Sequence, residues 1–156
     1  MKRKLKLELH TRVEKPLADV FLAFIDPAYT TRVDPPTRSA KLVHGTGYEK
    51  GDVWKLEIDG GIIGTIHQKR TYLQVDPPRS FTVQVEQKGL RGTDTQRFEV
   101  LADGSVEVTW KPKYELTGVM ALLFPVVKRQ VKSKGKLWMK LMKKAIESDR
   151  YPIRRP

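Results

Sequence analysis

The chain contains no cysteine, which excludes disulfides, thiolate metal sites and cysteine nucleophiles. It has no apolar run near the roughly 20 residues that cross a bilayer as a helix. The longest, Val119 to Val127, is short and interrupted by Pro125. The basic start Met1-Lys2-Arg3-Lys4 leads into alternating charge rather than the apolar stretch of a signal peptide, so the sequence reads as cytoplasmic. His10, His44 and His67 show no metal-ligand spacing, and neither metal nor cofactor is expected. No repeat, low-complexity stretch or long linker is present. The 156 residues are expected to form one domain.

What is present is a change of period. From Lys4 to Glu14 the apolar series Leu5, Leu7, Leu9 and Val13 alternates with charged or polar residues, the pattern of a strand with one buried face. After Lys15-Pro16, Leu17, Val20, Phe21 and Phe24 follow helical spacing until Asp26-Pro27. Tyr29 to Arg38 reads as loop or a broken helical turn. Strand-like runs then follow, divided by turn residues at Gly45-Thr46-Gly47, Gly60-Gly61, Asp76-Pro77-Pro78, Lys88 to Gly92 and Ala102-Asp103-Gly104. Thr65 to Val75 has no clean apolar face. It is either an edge strand or one that sends polar groups inward. A helix from Val126 to Ser148 closes the chain. About seven antiparallel strands with segregated helices make an α+β fold, with the last helix covering the sheet.

The net charge is +12, and its placement matters more than its size. Lys2, Arg3, Lys4 and Lys6 supply four charges, Leu116 to Ile146 carries eight basic residues and no acid, and Arg150, Arg154 and Arg155 add three. These fifteen exceed the total, so the positive potential belongs to the termini and above all to the last helix.

The strand, Lys15-Pro16, the short helix and Asp26-Pro27 are followed by Gly51-Asp52-Val53-Trp54, Val75-Asp76-Pro77-Pro78-Arg79-Ser80-Phe81 and Asp103-Gly104-Ser105. Tyr114-Glu115-Leu116-Thr117-Gly118 and a basic amphipathic helix with Pro125 and Gln130 complete the series. This order resembles the START-like (SRPBCC) superfamily, within it the polyketide cyclase/dehydrase and lipid-transport group, over roughly Leu5 to Ser148. The resemblance implies a helix-grip fold: a curved antiparallel sheet wrapped around a long C-terminal helix, with an apolar cavity between them. It implies binding of lipids, polyketides or similar hydrophobic molecules, and in some members catalysis on them. It supplies no catalytic residue.

In the last helix Val127, Val131, Trp138, Met142 and Ala145 form an apolar stripe, while Arg129, Lys132, Lys136, Lys140 and Lys143 cluster opposite. Lys134 and Gly135 interrupt the stripe. An unbroken helix would aim Lys134 into the space under it, where an anionic headgroup or polar cavity would offset the burial of its charge. A kink at Ser133-Lys134-Gly135 would release it to solvent, and snorkelling is the third option. Trp54, Tyr72, Phe81, Phe98, Trp110, Tyr114, Lys134 and Trp138 are the candidate ligand-binding residues. For the aromatics the favoured reading is core, a role that overlaps with lining a cavity in this fold.

The expected function is binding of a hydrophobic small molecule between sheet and last helix. The alternative is a cyclase/aromatase-type enzyme, for which only Lys134, His67, Arg70 and Tyr72 offer acid–base or charged groups. A third reading is a basic surface adaptor. The basic face suits solvent first, an anionic membrane second and nucleic acid last, since no nucleic-acid motif accompanies it.

Overall fold

A computed structural model describes residues 1–61 and 64–155. The elements run β1 (Lys2–Lys6), β2 (Leu9–Val13), α1 (Leu17–Ile25), α2 (Pro27–Val33), β3 (Thr37–His44), β4 (Val53–Asp59), β5 (Thr65–Asp76), β6 (Ser80–Gln87), β7 (Leu90–Val100), β8 (Val106–Thr117), α3 (Gly118–Leu122) and α4 (Phe124–Glu147). One antiparallel sheet has the order β1-β8-β7-β6-β5-β4-β3, with β2 also paired to β8. The α+β helix-grip architecture anticipated from the sequence is the one found.

Among the described residues the sheet has eight strands where the alternation suggested about seven, because the first run is divided. Lys6 pairs with Lys113 and Leu9 with Trp110 in a single register, so β1 and β2 are collinear on β8. Between them the Leu7 amide donates to the Pro112 carbonyl at 3.2 Å. Proline has no N–H to return the bond, and the ladder breaks there.

Residues 29–38 also differ from expectation. Asp26 ends α1 and starts α2: its carboxylate accepts from the Ala28 amide at 2.9 Å, with Pro27 at the first helical turn. This is an N-cap followed by proline where proline is preferred. The helix it starts extends through Val33, and β3 begins earlier than the turn signals suggested. β5, in turn, is a central strand between β4 and β6, and it sends polar groups inward.

The Gly51-Asp52-Val53-Trp54 segment is a loop anchor. Asp52, 6% exposed, accepts from the amides of Thr46, Gly47 and Glu49 at 3.1, 2.8 and 3.0 Å. The Trp54 indole donates to the Gly47 carbonyl at 2.6 Å. Burial alone would raise the Asp52 carboxyl, but these amide bonds outweigh it and hold the group below the usual range.

α4 runs unbroken past Ser133-Lys134-Gly135. Its main neighbours are β2, α1, α2 and α3. Gly135 is buried and lies so close to the sheet that a Cβ built on it would stand 2.4 Å from Trp110 Cζ3 and 3.0 Å from Leu9 Cδ1. C-terminal to it Met139, Met142, Ala145 and Ile146 are buried.

Two outcomes are expected from these contacts. Gly135→Val forces the helix off Trp110 and lowers stability by about 3 kcal/mol, in the range for overpacked cores, measured by urea unfolding. Because the folded pKa of Asp52 lies below the unfolded one, its contribution is full above about pH 4 and is lost as pH falls through the folded value. The melting-temperature difference between wild type and Asp52→Asn therefore narrows on acidification and is largest near neutrality.

Candidate functional site

Strand alternation decides what the concave face of the sheet presents. β4 contributes Trp54 and Leu56, β5 Gln68, Arg70 and Tyr72, and β6 Phe81, Val83 and Val85. β7 contributes Leu90, Asp94, Gln96 and Phe98, and β8 Trp110, Pro112, Tyr114 and Leu116. Register places Trp54 opposite Arg70, Val83 opposite Asp94 and Gly92 opposite Tyr114. At that last pair a Cβ on Gly92 would stand 2.0 Å from the Lys113 carbonyl oxygen. Only glycine permits the two backbones to approach so closely.

The face divides into two ends. At one, Phe21 and Phe24 of α1 reach into the sheet. Phe21 meets Phe98 with centroids 5.3 Å apart, Phe24 meets Phe98 at 5.8 Å and Trp138 at 5.5 Å, and Trp138 meets Trp110 at 5.8 Å, all edge to face. Phe81 stacks on Phe98 at 6.0 Å. The Tyr72 hydroxyl donates to the Ile25 carbonyl, and its burial pushes the phenol far above its ordinary range. These rings fill the space between α1, α4 and the sheet. Of the two sequence readings for Tyr72, Phe81, Phe98, Trp110 and Trp138, the contacts are those of core. α1 supplies the partners, which the strand pattern alone did not reveal.

The other end is polar. Arg70 Nη2 lies 3.2 Å from Asp94 Oδ2, with Asp94 only 4% exposed at its side chain and Arg70 19%. The Tyr114 hydroxyl donates to Asp94 Oδ1. Arg70 Nη1 donates to Gln68 Oε1 at 3.1 Å, and Gln68 Nε2 to Gln87 Oε1 at 2.7 Å. Burial first, then the charge of Asp94 and the bond to it, pushes the Tyr114 phenol well above its ordinary range, so Tyr114 remains a fixed donor. Gln96, paired in the register with Phe81 and Trp110, has its Oε1 buried with no hydrogen-bond partner among the described residues. An open depression of about 410 Å³, lined by Glu86, Gln87, Gly89, Leu90, Arg91 and Thr117, adjoins this end at the β6–β7 turn.

Lys134 is exposed, although the helix is unbroken. Helical phase puts it about 100° from Gly135, on the flank of α4, where its charge acts on the carboxyls of Asp34 and Asp59. His67 is exposed on the outer face of β5 opposite Glu57. Among the acid–base candidates only Arg70 belongs to the polar cluster. Asp94, Gln68 and Gln96 were missed from the sequence. The signal available was Asp94 and Gln96 in phase with Phe98 on β7. Among the described residues no group of three or more His, Asp or Glu is arranged to hold a metal, and no helix is long and apolar enough to cross a membrane.

Arg70→Leu leaves Asp94 buried without its cation and is expected to destabilise the fold by about 3 kcal/mol, whereas Arg70→Leu combined with Asp94→Leu recovers most of that loss. Chemical denaturation of the two single variants and the double variant gives the coupling.

No protein-family model matches the chain, and no curated protein sequence does. Solved structures do. A conserved protein from Geobacillus kaustophilus is 16% identical with a TM-score of 0.79, covering 93% of this chain and 97% of that one. An aromatase/cyclase from Streptomyces is 14% identical with a TM-score of 0.75, covering 96% and 97%. A major latex-like protein from Panax ginseng is 18% identical with a TM-score of 0.68, covering 96% and 99%. The resemblance to START-like proteins thus holds at the level of architecture: the chain has their helix-grip fold over nearly its whole length.

Proposed function

We propose that this chain is a cytoplasmic binder of a hydrophobic small molecule bearing a polar end, such as a lipid or polyketide. The molecule would lie beneath the N-terminal half of α4 with its polar end toward Arg70 and Gln68. The observation that carries this reading is the change of burial along one side of the helix. Lys128, Gly135 and Met142 are spaced two turns apart and so face the sheet together. Gly135 and Met142 are buried, but Lys128 is exposed. Phe124, Val127 and Val131 are only half-buried, whereas Met139 and Ile146 are 2% and 1% exposed. The helix is held tightest from Gly135 onward, and before it Phe124, Val127 and Val131 pack only partly buried against the core. Half-buried apolar residues near a few inward polar groups are what ligand sites present.

The similarity to an aromatase/cyclase motivates the enzymatic alternative through fold alone. That chemistry needs an acid or base at the cargo. His67 and Lys134 are exposed, and Tyr72 is committed to Ile25. Binding is therefore the reading preferred.

Displacement of anilinonaphthalene sulfonate by a panel of fatty acids, sterols and aromatic polyketides tests it. Saturable displacement by at least one class is expected, and Val131→Trp, which would occupy the proposed cargo space, should weaken it roughly tenfold or more while the melting temperature holds or rises. Absence of saturable displacement across the panel overturns the proposal.

A further inference from the structure

The side of α3 and α4 turned away from the sheet carries its own apolar stripe. Val119, Leu122, Leu123 and Val126 follow the spacing i, i+3, i+4, i+7. The Leu123 amide bonds back to the Val119 carbonyl at 3.0 Å, so the helical path is nearly continuous across the α3–α4 junction. These four are 69%, 69%, 48% and 50% exposed. The same side continues through exposed, uncharged Gln130 and Ser133 to Leu137, 53% exposed. Along one flank run Arg129, Lys132, Lys136 and Lys140, all exposed. From Leu116 to Ile146 there is no acidic residue.

We propose that this outer face is a docking surface for an anionic lipid bilayer, with α3 and the first half of α4 lying in the plane of the interface. Val119, Leu122, Leu123 and Val126 enter the acyl boundary, and the flanking lysines and arginine reach lipid phosphates. An amphipathic helix with aliphatic residues on one side and cations along its edge is the chemistry that binds such an interface. The face is convex, as a helix laid on a flat bilayer requires. A second copy fits less well: an antiparallel two-fold pairing through this stripe brings the same row of cations on both copies together. The inference stands on this helix face and is independent of the cargo reading.

Flotation with vesicles of phosphatidylcholine mixed with phosphatidylglycerol, against phosphatidylcholine alone, tests it. Wild type is expected to float with the anionic vesicles and stay behind with the neutral ones. Leu122→Gln combined with Val126→Gln should lose roughly tenfold or more in partitioning, and Lys132→Gln with Lys136→Gln should lose a comparable amount at moderate salt. All four positions are exposed, so the melting temperature should not move. An apolar double variant that floats like wild type reduces the interaction to charge adsorption and overturns the proposal. So does failure of wild type to float at low salt, and so does a dimer in sedimentation velocity that Leu122→Gln dissociates. Capture by an acidic protein with no vesicle binding assigns the face to that partner instead. The dye-displacement assay on wild type without vesicles keeps the two readings apart: absence of saturable displacement with wild-type flotation on anionic vesicles removes only the cargo reading.

Discussion

The contact between the backbone of α4 at Gly135 and the indole of Trp110 sets the geometry of this molecule. A helix and a sheet normally keep a side chain's distance, and here one side chain has been removed from the interface. From that point toward the C-terminus the helix is held by Met139, Met142, Ala145 and Ile146. Toward the N-terminus Phe124, Val127 and Val131 pack against the core only partly buried. One glycine and one tryptophan thus set how closely the helix can approach the sheet.

The interior is correspondingly unequal. α1 drives Phe21 and Phe24 into the sheet at one end, where edge-to-face rings interlock. At the other, Arg70, Asp94 and Tyr114 share one network. Burying a charge pair contributes little net stability compared with apolar packing, so its presence on a face otherwise given to Val, Leu and Trp shapes chemistry there rather than adding strength. The same helix that roofs this space shows solvent an ordered apolar stripe. Its two faces are each amphipathic toward a different neighbour.

Most of the architecture was legible because the periods were clean. The strand-to-helix change at Lys15-Pro16, the Ala102-Asp103-Gly104 hairpin and the terminal helix each rest on local patterning, and each is found. The misses arose where a residue acts on a distant partner. Pro112 looked harmless within its own strand, yet it divides the strand beside it. Asp26 read as a stop and is also a start, because its carboxylate reaches forward to Ala28. Gln68 and Arg70 spoiled the alternation of β5 because they face inward to meet Asp94 and Gln87, partners that only sheet register brings near. Lys134 lay on the stripe by coarse counting, but the true sheet-facing line runs through Gly135, and a rotation of 100° per residue carries Lys134 to the flank.

The missing hydrogen bond at Pro112 bears on how the molecule behaves among its own kind. β1 is an outer strand, and outer strands invite neighbouring chains to extend the sheet. Here that border is short, stepped where the ladder lapses, and studded with Lys2, Lys4 and Lys6. An approaching strand would find neither a continuous row of amides to match nor relief from like charge. The imino acid that cuts one strand in two thereby helps keep crowded copies of the protein from knitting together.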